Sequence, residues 1–280
     1  MIEKREERSM GFCHQHQGQL EYLTVPSFTQ AGFRHAFSTR NGGVSLGGCR
    51  SLNLGFSRGD ERENVLENYR RLVQAIGVCM ESLVLAAQTH TDHIRKVTQA
   101  DCGEGITKKD FADIDGLMTD EAGVTLVTFH ADCTPVFLAD PKRRAIALVH
   151  AGWRGTVQNI AGKAVAAMVQ EYGCRPQDIL AAVGPSAGPC CYEVSSEVGH
   201  AINEAAGGGC LVYHGDNPKP FADLWMANRK MLLAAGILED HITVAGECTC
   251  HEERYFSHRR QGAARGSLAA FLSLGRENEQ

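Results

Sequence analysis

The 280-residue sequence lacks any apolar run approaching the roughly 18 residues that a membrane-spanning helix needs. Its first residues, MIEKREERSMGF, carry charges where a secretion signal needs its apolar stretch, which sets the expectation of a cytoplasmic protein. It has no excess of positive charge: 28 basic against 33 acidic residues give a net charge of −5. That argues against broad nucleic-acid or anionic-membrane binding while leaving room for a local basic pocket that takes one small anion. Paired C-x2-4-C motifs are missing too. Cys190-Cys191 and Cys248-Thr249-Cys250 have the wrong spacings for a four-ligand structural zinc. The P-C-x-x-C half of the zinc nucleobase deaminase signature is absent. The single H-x-H pair, His14 and His16, is too little for a multi-copper oxidase. There is no internal repeat and no Pro/Ser-rich linker, so one domain is expected over residues 19–280.

What is present fits an ordinary globular chain, 43% apolar and 22% charged. Eleven cysteines are many, but an odd number without a secretion signal points to reduced thiols, a few of them special, rather than a disulfide framework. Residues 1–18 are polar and are expected to form a poorly ordered arm, with His14 and His16 solvated. "ERENVLENYRRLVQAIG" and "TVQNIAGKAVAAMVQEYG" have helical apolar spacing and end in glycine. "SSEVGHAINEA", "FADLWMANRKMLLAAGI" and the closing "ARGSLAAFLSL" also read as helices. "SLVLAAQTH", "DILAAV" and "HITVAG" read as strands, and "FADIDGLMTDEAGVTLVTFHADC" as a turn and a strand pair. Strands and helices alternate, with several strand neighbours lacking a helix between them, which predicts a mixed sheet or two sheets covered by helices.

Three polar residues stand where apolar strands run out into turns: His90 after "LAAQT", Cys133 in "HADCTP" and His150 in "ALVHAGWRG". Two imidazoles and a thiolate form a three-ligand set suited to zinc, with a fourth position left for water or substrate. The same residues permit a nucleophile reading, with Cys133 attacking, His150 as base and Asp132 or Asp115 as orienter. A third reading is non-catalytic, a metal- or partner-binding protein whose thiols form a reservoir. Spacing alone leaves all three open. His130 lies within the strand run and is the less expected participant. Arg40, in the glycine-rich "STRNGGVSLGG", and Arg154, in "GWRG", are candidates for an anion cradle. Asp132 could orient a ligand histidine or cap a turn.

Taken together, "STRNGGVS", "SLNLG", "QTH", "ADCTPV", "HAGWRG", "GPSAGPCCYEV" and "FSHRR" resemble the YfiH/YlmD-like family over about residues 30–275. The family was once labelled polyphenol oxidase or laccase-domain. The sequence departs from it at "QTHT", where Gln-Val-His-Gly is commoner, and at "GAARG", where many relatives have Thr-Gly-Arg, so that Arg265 is a loose match. The resemblance implies an α+β fold of two mixed sheets between helical layers, α/β/β/α, and His90, Cys133 and His150 as metal ligands. It further implies phosphorolysis of adenosine, inosine and methylthioadenosine, with adenosine deamination beside it. Purine nucleosides and phosphate are then the partners, Zn2+ the cofactor with copper as alternative, and a homodimer the assembly. A cysteine hydrolase built on Cys133 and His150, or a copper-dependent polyphenol oxidase, is the alternative activity.

Overall fold

The structure, a computed structural model, describes residues 11–275. Strands β1 (Cys13–Gln17) and β2 (Leu20–Thr24) form a hairpin, and helix α1 (Pro26–Gln30) leads to β3 (Arg34–Ser38). Helix α2 (Arg62–Ile76) precedes β4 (Leu83–Leu85), β5 (Ile94–Lys96), β6 (Gly116–Thr119) and β7 (Thr125–His130). Strands β8 (Thr134–Asp140) and β9 (Ala145–Ala151) then lead into helices α3 (Trp153–Val157) and α4 (Ile160–Tyr172). After β10 (Leu180–Val183) come α5 (Ser196–Ala205), the small hairpin of β11 (Leu211–Val212) and β12 (Phe221–Ala222), and α6 (Leu224–Ala234). The chain continues through β13 (Ile242–Val244), α7 (His258–Gln261) and β14 (Leu268–Ser273).

Two six-stranded mixed sheets result. The first has the order β1-β2-β3-β14-β7-β4 and is antiparallel except where β4 lies beside β7. The second, β13-β10-β8-β9-β6-β5, is antiparallel in the middle and parallel at both ends. Alternation along the strands divides three apolar layers. Leu268, Ala270 and Leu272 of β14 and Phe137 and Ala139 of β8 enter the core between the sheets with Phe28, Phe37 and Phe256. Ala269 and Phe271 face the other way, onto Val65, Tyr69, Leu72 and Val73 of α2. Val136 and Leu138 of β8 meet Ile160, Ala164, Val165 and Met168 of α4, with Leu232 of α6. The layering is therefore α/β/β/α in one α+β domain, as the family resemblance implies. Helix α2 shows how the sequence sets an element: its apolar residues recur every three or four positions, and Gly77 ends it at φ 71, where a side chain would be strained.

The structure corrects five expectations. The poorly ordered arm does not extend to residues 11–18, where β1 pairs with β2 along its full length; residues 1–10 lie outside the described residues. His14 is not solvated but lies 3.1 Å from Glu21 and 3.0 Å from Glu247, bridging the hairpin to a distant loop. The segment ending "SLAAFLSL" is the central strand β14 and not a helix. Buried on both faces between β3 and β7, it shows no period-2 alternation to betray it. β6 and β7, read as a strand pair, go to different sheets. The helix expected over "TVQNIAGKAVAAMVQEYG" is also interrupted: Asn159, at φ 58, caps α4 by accepting from the Gly162 N–H.

Candidate metal centre and its cavity

His90, Cys133 and His150 converge: one ligand atom from each lies within 4.8 Å of the others. Three different strand ends deliver them. His150 sits near the end of β9, a strand buried along its whole length. Cys133 occupies the short turn by which the chain leaves β7 of one sheet and enters β8 of the other, with Asp132 at φ 93. His90 lies in the loop after β4 at φ 69, a left-handed conformation that histidine tolerates. Gly152 leaves the cluster little slack: a Cβ there would fall 3.0 Å from His90 Cδ2 and 3.1 Å from Cys133 Sγ, so both ligand side chains would have to shift by a few tenths of an ångström.

Asp115, just before β6 and fully buried, ties the three deliveries together. Its Oδ2 accepts from the N–H groups of Thr89 and Thr91, both at 2.9 Å, and from the Thr91 hydroxyl at 3.2 Å. Its Oδ1 accepts from the His90 N–H at 3.1 Å and from His150 Nδ1 at 2.7 Å. The loop of His90 is thus wrapped around a carboxylate, and that carboxylate fixes the His150 tautomer, leaving Nε2 free for the cluster. Burial alone would raise the Asp115 pKa, but the bond from His150 and the N–H groups of Thr91 and Thr89 hold it down at about 2. Burial likewise works against a Cys133 thiolate, yet the charge of His150 and hydrogen bonds from His150 and His90 bring its pKa down to about 6. His150 moves the opposite way, against its burial, because the thiolate of Cys133 and the carboxylate of Asp115 favour its charged form. Each of the two thus favours the charged form of the other.

The cluster opens into a cavity of about 570 Å3. Phe56, Phe129 and Gln88 line it, the Gln88 amide exchanging hydrogen bonds with the Phe129 backbone at 2.6 and 2.8 Å. Arg58 and Arg265 line it as well. Arg265 is only 7% exposed, and its Nε–H has no hydrogen-bond partner. Neither arginine forms an ion pair with a carboxylate among the described residues. Burial first, and the like charge of Arg58 second, lower the Arg265 pKa to about 10. Two adjacent guanidinium groups, neither in contact with a carboxylate, make a site suited to an anion.

The structure brings the three candidate ligands together, but with other neighbours than the sequence suggested. Arg40 does not line this cavity; its guanidinium donates to the Arg50 carbonyl at 2.7 and 2.9 Å, lies over Phe256 and faces a separate groove. Arg154 is exposed on α3, stacked on its neighbour Trp153, and is not a cavity residue either. Trp153 packs with α5 and α6. Asp132 touches no ligand histidine. It accepts from the Thr249 hydroxyl at 2.7 Å and the Arg259 N–H at 2.6 Å, pinning the start of α7, so the orienting carboxylate is Asp115. His130 is buried, bonded to Thr128 and to the Cys133 carbonyl, and stays outside the cluster. Arg58 was missed because one arginine in a loop carries no signal by itself.

Fold and site define an α/β/β/α protein whose sheet ends bring two histidines and a cysteine to the floor of an arginine-lined cavity. The family described as multi-copper polyphenol oxidoreductase laccase matches residues 34–275, and the chain belongs to it. A relative from Geobacillus stearothermophilus named purine nucleoside phosphorylase YlmD is 41% identical over 256 residues, 89% of this chain and 92% of its own. A protein from an unknown prokaryotic organism named adenosine deaminase RL5 is 34% identical over 237 residues, 82% of this chain and 90% of its own. The crystal structure of YlmD from Geobacillus stearothermophilus matches with a TM-score of 0.86 at 38% identity, covering 94% of this chain and 99% of that one. These matches bear out the YfiH/YlmD-like resemblance and the two-sheet fold.

Proposed function

We propose that the protein is a metal-dependent purine nucleoside phosphorylase, converting adenosine, inosine or methylthioadenosine and phosphate to free base and ribose 1-phosphate, and that it also deaminates adenosine. The observation that carries the reading is one cavity with two arginines, neither in contact with a carboxylate, on its wall and the His90–Cys133–His150 set on its floor. The names of the relatives supply the reaction class.

The donor set fits a metal: two nitrogens and one sulfur, mutually close, with one histidine held by a carboxylate, as zinc ligands are. Zn2+ held by these three side chains supplies a Lewis acid at the cavity floor; copper is the alternative occupant, since thiolate and imidazole also suit it. Asp115 keeps the proton on His150 Nδ1 and the loop of His90 in place. Arg58 and Arg265 hold phosphate in a bidentate cradle against the sugar. There a phosphate oxygen bonds C1′ as the C1′–N9 bond breaks, its electron pair leaving with the purine. Phe56 and Phe129 offer the base apolar walls, and about 570 Å3 is room for a nucleoside with its phosphate. The acidic net charge supports small-molecule partners over nucleic acid or a membrane surface, and a dimeric assembly rests on the family resemblance.

The metal-free geometry favours a second reading, a cysteine hydrolase with Cys133 as nucleophile, His150 as base and Asp115, at 2.7 Å, as orienter. Incubation of metal-replete protein with inosine and phosphate separates the two. Hypoxanthine and ribose 1-phosphate in equal amounts support the phosphorylase. Absence of product, with inactivation by a thiol reagent that labels Cys133, supports the hydrolase.

A further inference from the structure

Cysteines too poorly spaced for a zinc motif meet in space at a second place. Cys190 and Cys191 lie in the loop after β10, and Cys248 lies in the loop after β13. β10 and β13 are parallel neighbours, with Val183 opposite Val244, so both loops leave the same end of the sheet. They stay zipped beyond it: Ser186 N–H donates to the Glu247 carbonyl at 3.2 Å and Thr249 N–H to the Ser186 carbonyl at 3.0 Å. A tight turn, in which the Gly188 carbonyl accepts from the N–H groups of Cys191 and Tyr192, each at 2.9 Å, swings the neighbouring cysteines back toward Cys248. The three sulfurs end within 4.8 Å of one another. All three are free thiols. Cys248 is buried, Cys191 half-buried and Cys190 exposed, which gives an ion a way in.

We propose that Cys190, Cys191 and Cys248 form a second metal site, separate from the cavity, that binds a thiophilic d10 cation. Three sulfurs without a nitrogen or carboxylate in the group select soft ions over Mg2+, Ca2+ or Mn2+. The Gly188 N–H points at the Cys248 sulfur at 3.3 Å, the polarity that stabilises a thiolate. Burial and the neighbouring Cys248 raise the Cys190 pKa, so a cation bound through that sulfur must displace its proton. With three protein donors the match is to three-coordinate Cu(I), or to Zn(II) completed by water. Occupancy would brace the loop of Cys248 and, through the bond from Thr249 to Asp132, the turn that carries Cys133.

The test is a competition titration of the full chain, reduced, with Cu(I) and with Zn2+ against chromophoric chelators. Wild type should bind two equivalents. Cys133→Ala should lose one and keep one, and Cys190→Ser, at an exposed position that leaves the core intact, should weaken the other at least tenfold. X-ray absorption on loaded Cys133→Ala should show three sulfurs, alone for Cu(I) or with one oxygen for Zn2+. A single equivalent in wild type, or unchanged affinity of the second equivalent in Cys190→Ser, overturns the proposal. So does recovery of Cys190 or Cys191 in a disulfide with Cys248 from reduced, metal-exposed protein.

Discussion

Asp115→Asn keeps the shape of the side chain and removes its charge. The wild-type carboxylate takes five hydrogen bonds, three on Oδ2 and two on Oδ1, and every donor is fixed by backbone or ring geometry except the Thr91 hydroxyl. An amide has one oxygen to give. If that oxygen serves Thr89 and Thr91, the NH2 faces the His90 N–H and the His150 Nδ1–H, donor against donor. His150 can escape only by moving its proton to Nε2, the atom needed for the metal. If the amide flips, the loop of His90 loses its anchor instead. Hydrogen bonds to a charged group are worth about 1.5–3 kcal/mol each, so either outcome costs on that order. For a carboxylate supporting a metal-bound histidine this corresponds to about a 10–100-fold loss of metal affinity. The assay is zinc competition against a chromophoric chelator, with Asp132→Asn as control. Asp132 bonds only to Thr249 and the α7 backbone, so its variant should bind zinc within about threefold of wild type. Wild-type affinity in Asp115→Asn, or a larger loss in Asp132→Asn, would refute the assignment.

Two further outcomes follow from single residues. Arg265→Ala should raise the KM for phosphate about 10–100-fold, the value of one charge-assisted bond, while changing adenosine deamination by less than about threefold; equal losses in both reactions, measured side by side, would deny Arg265 a phosphate role. His35 is buried and neutral, its Nε2 accepting from the Val25 N–H at 2.6 Å, and burial lowers its pKa to about 4. Its unfolded value is about 6.5, so its contribution is complete above that pH and is lost as pH falls toward 4. Urea unfolding should show about 2 kcal/mol less stability at pH 5 than at pH 7 from this residue, and His35→Gln should remove that part of the slope.

The three converging residues were legible because each stood at the end of an apolar run, where a polar residue has no packing reason to be. The family motifs then tipped the balance toward the metal reading among those that spacing left open. What surrounds the ligands was not legible. Arg58 and Arg265 are more than two hundred residues apart in sequence, and only the packing of the loop after β3 against the entry to β14 brings them together. Arg40 and Arg154 sat in more suggestive company, a glycine-rich loop and "GWRG", yet their side chains turn to a carbonyl and a tryptophan. β14 was misread because a strand buried on both faces keeps no polar side, and Leu and Ala then read as helix. The thiol cluster escaped for the reason that hid Arg58: parallel pairing of β10 with β13 is a non-local contact.

The central claim is that turnover belongs to the metal-loaded His90–Cys133–His150 set. Its most direct test is phosphorolysis of inosine by one preparation before chelation, after it, and after titration with Zn2+ or copper, with metal content determined alongside. The account predicts loss of ribose 1-phosphate formation on chelation and its return as one equivalent is restored, with no return in Cys133→Ala. Undiminished phosphorolysis by metal-free protein, or by Cys133→Ala, would contradict it.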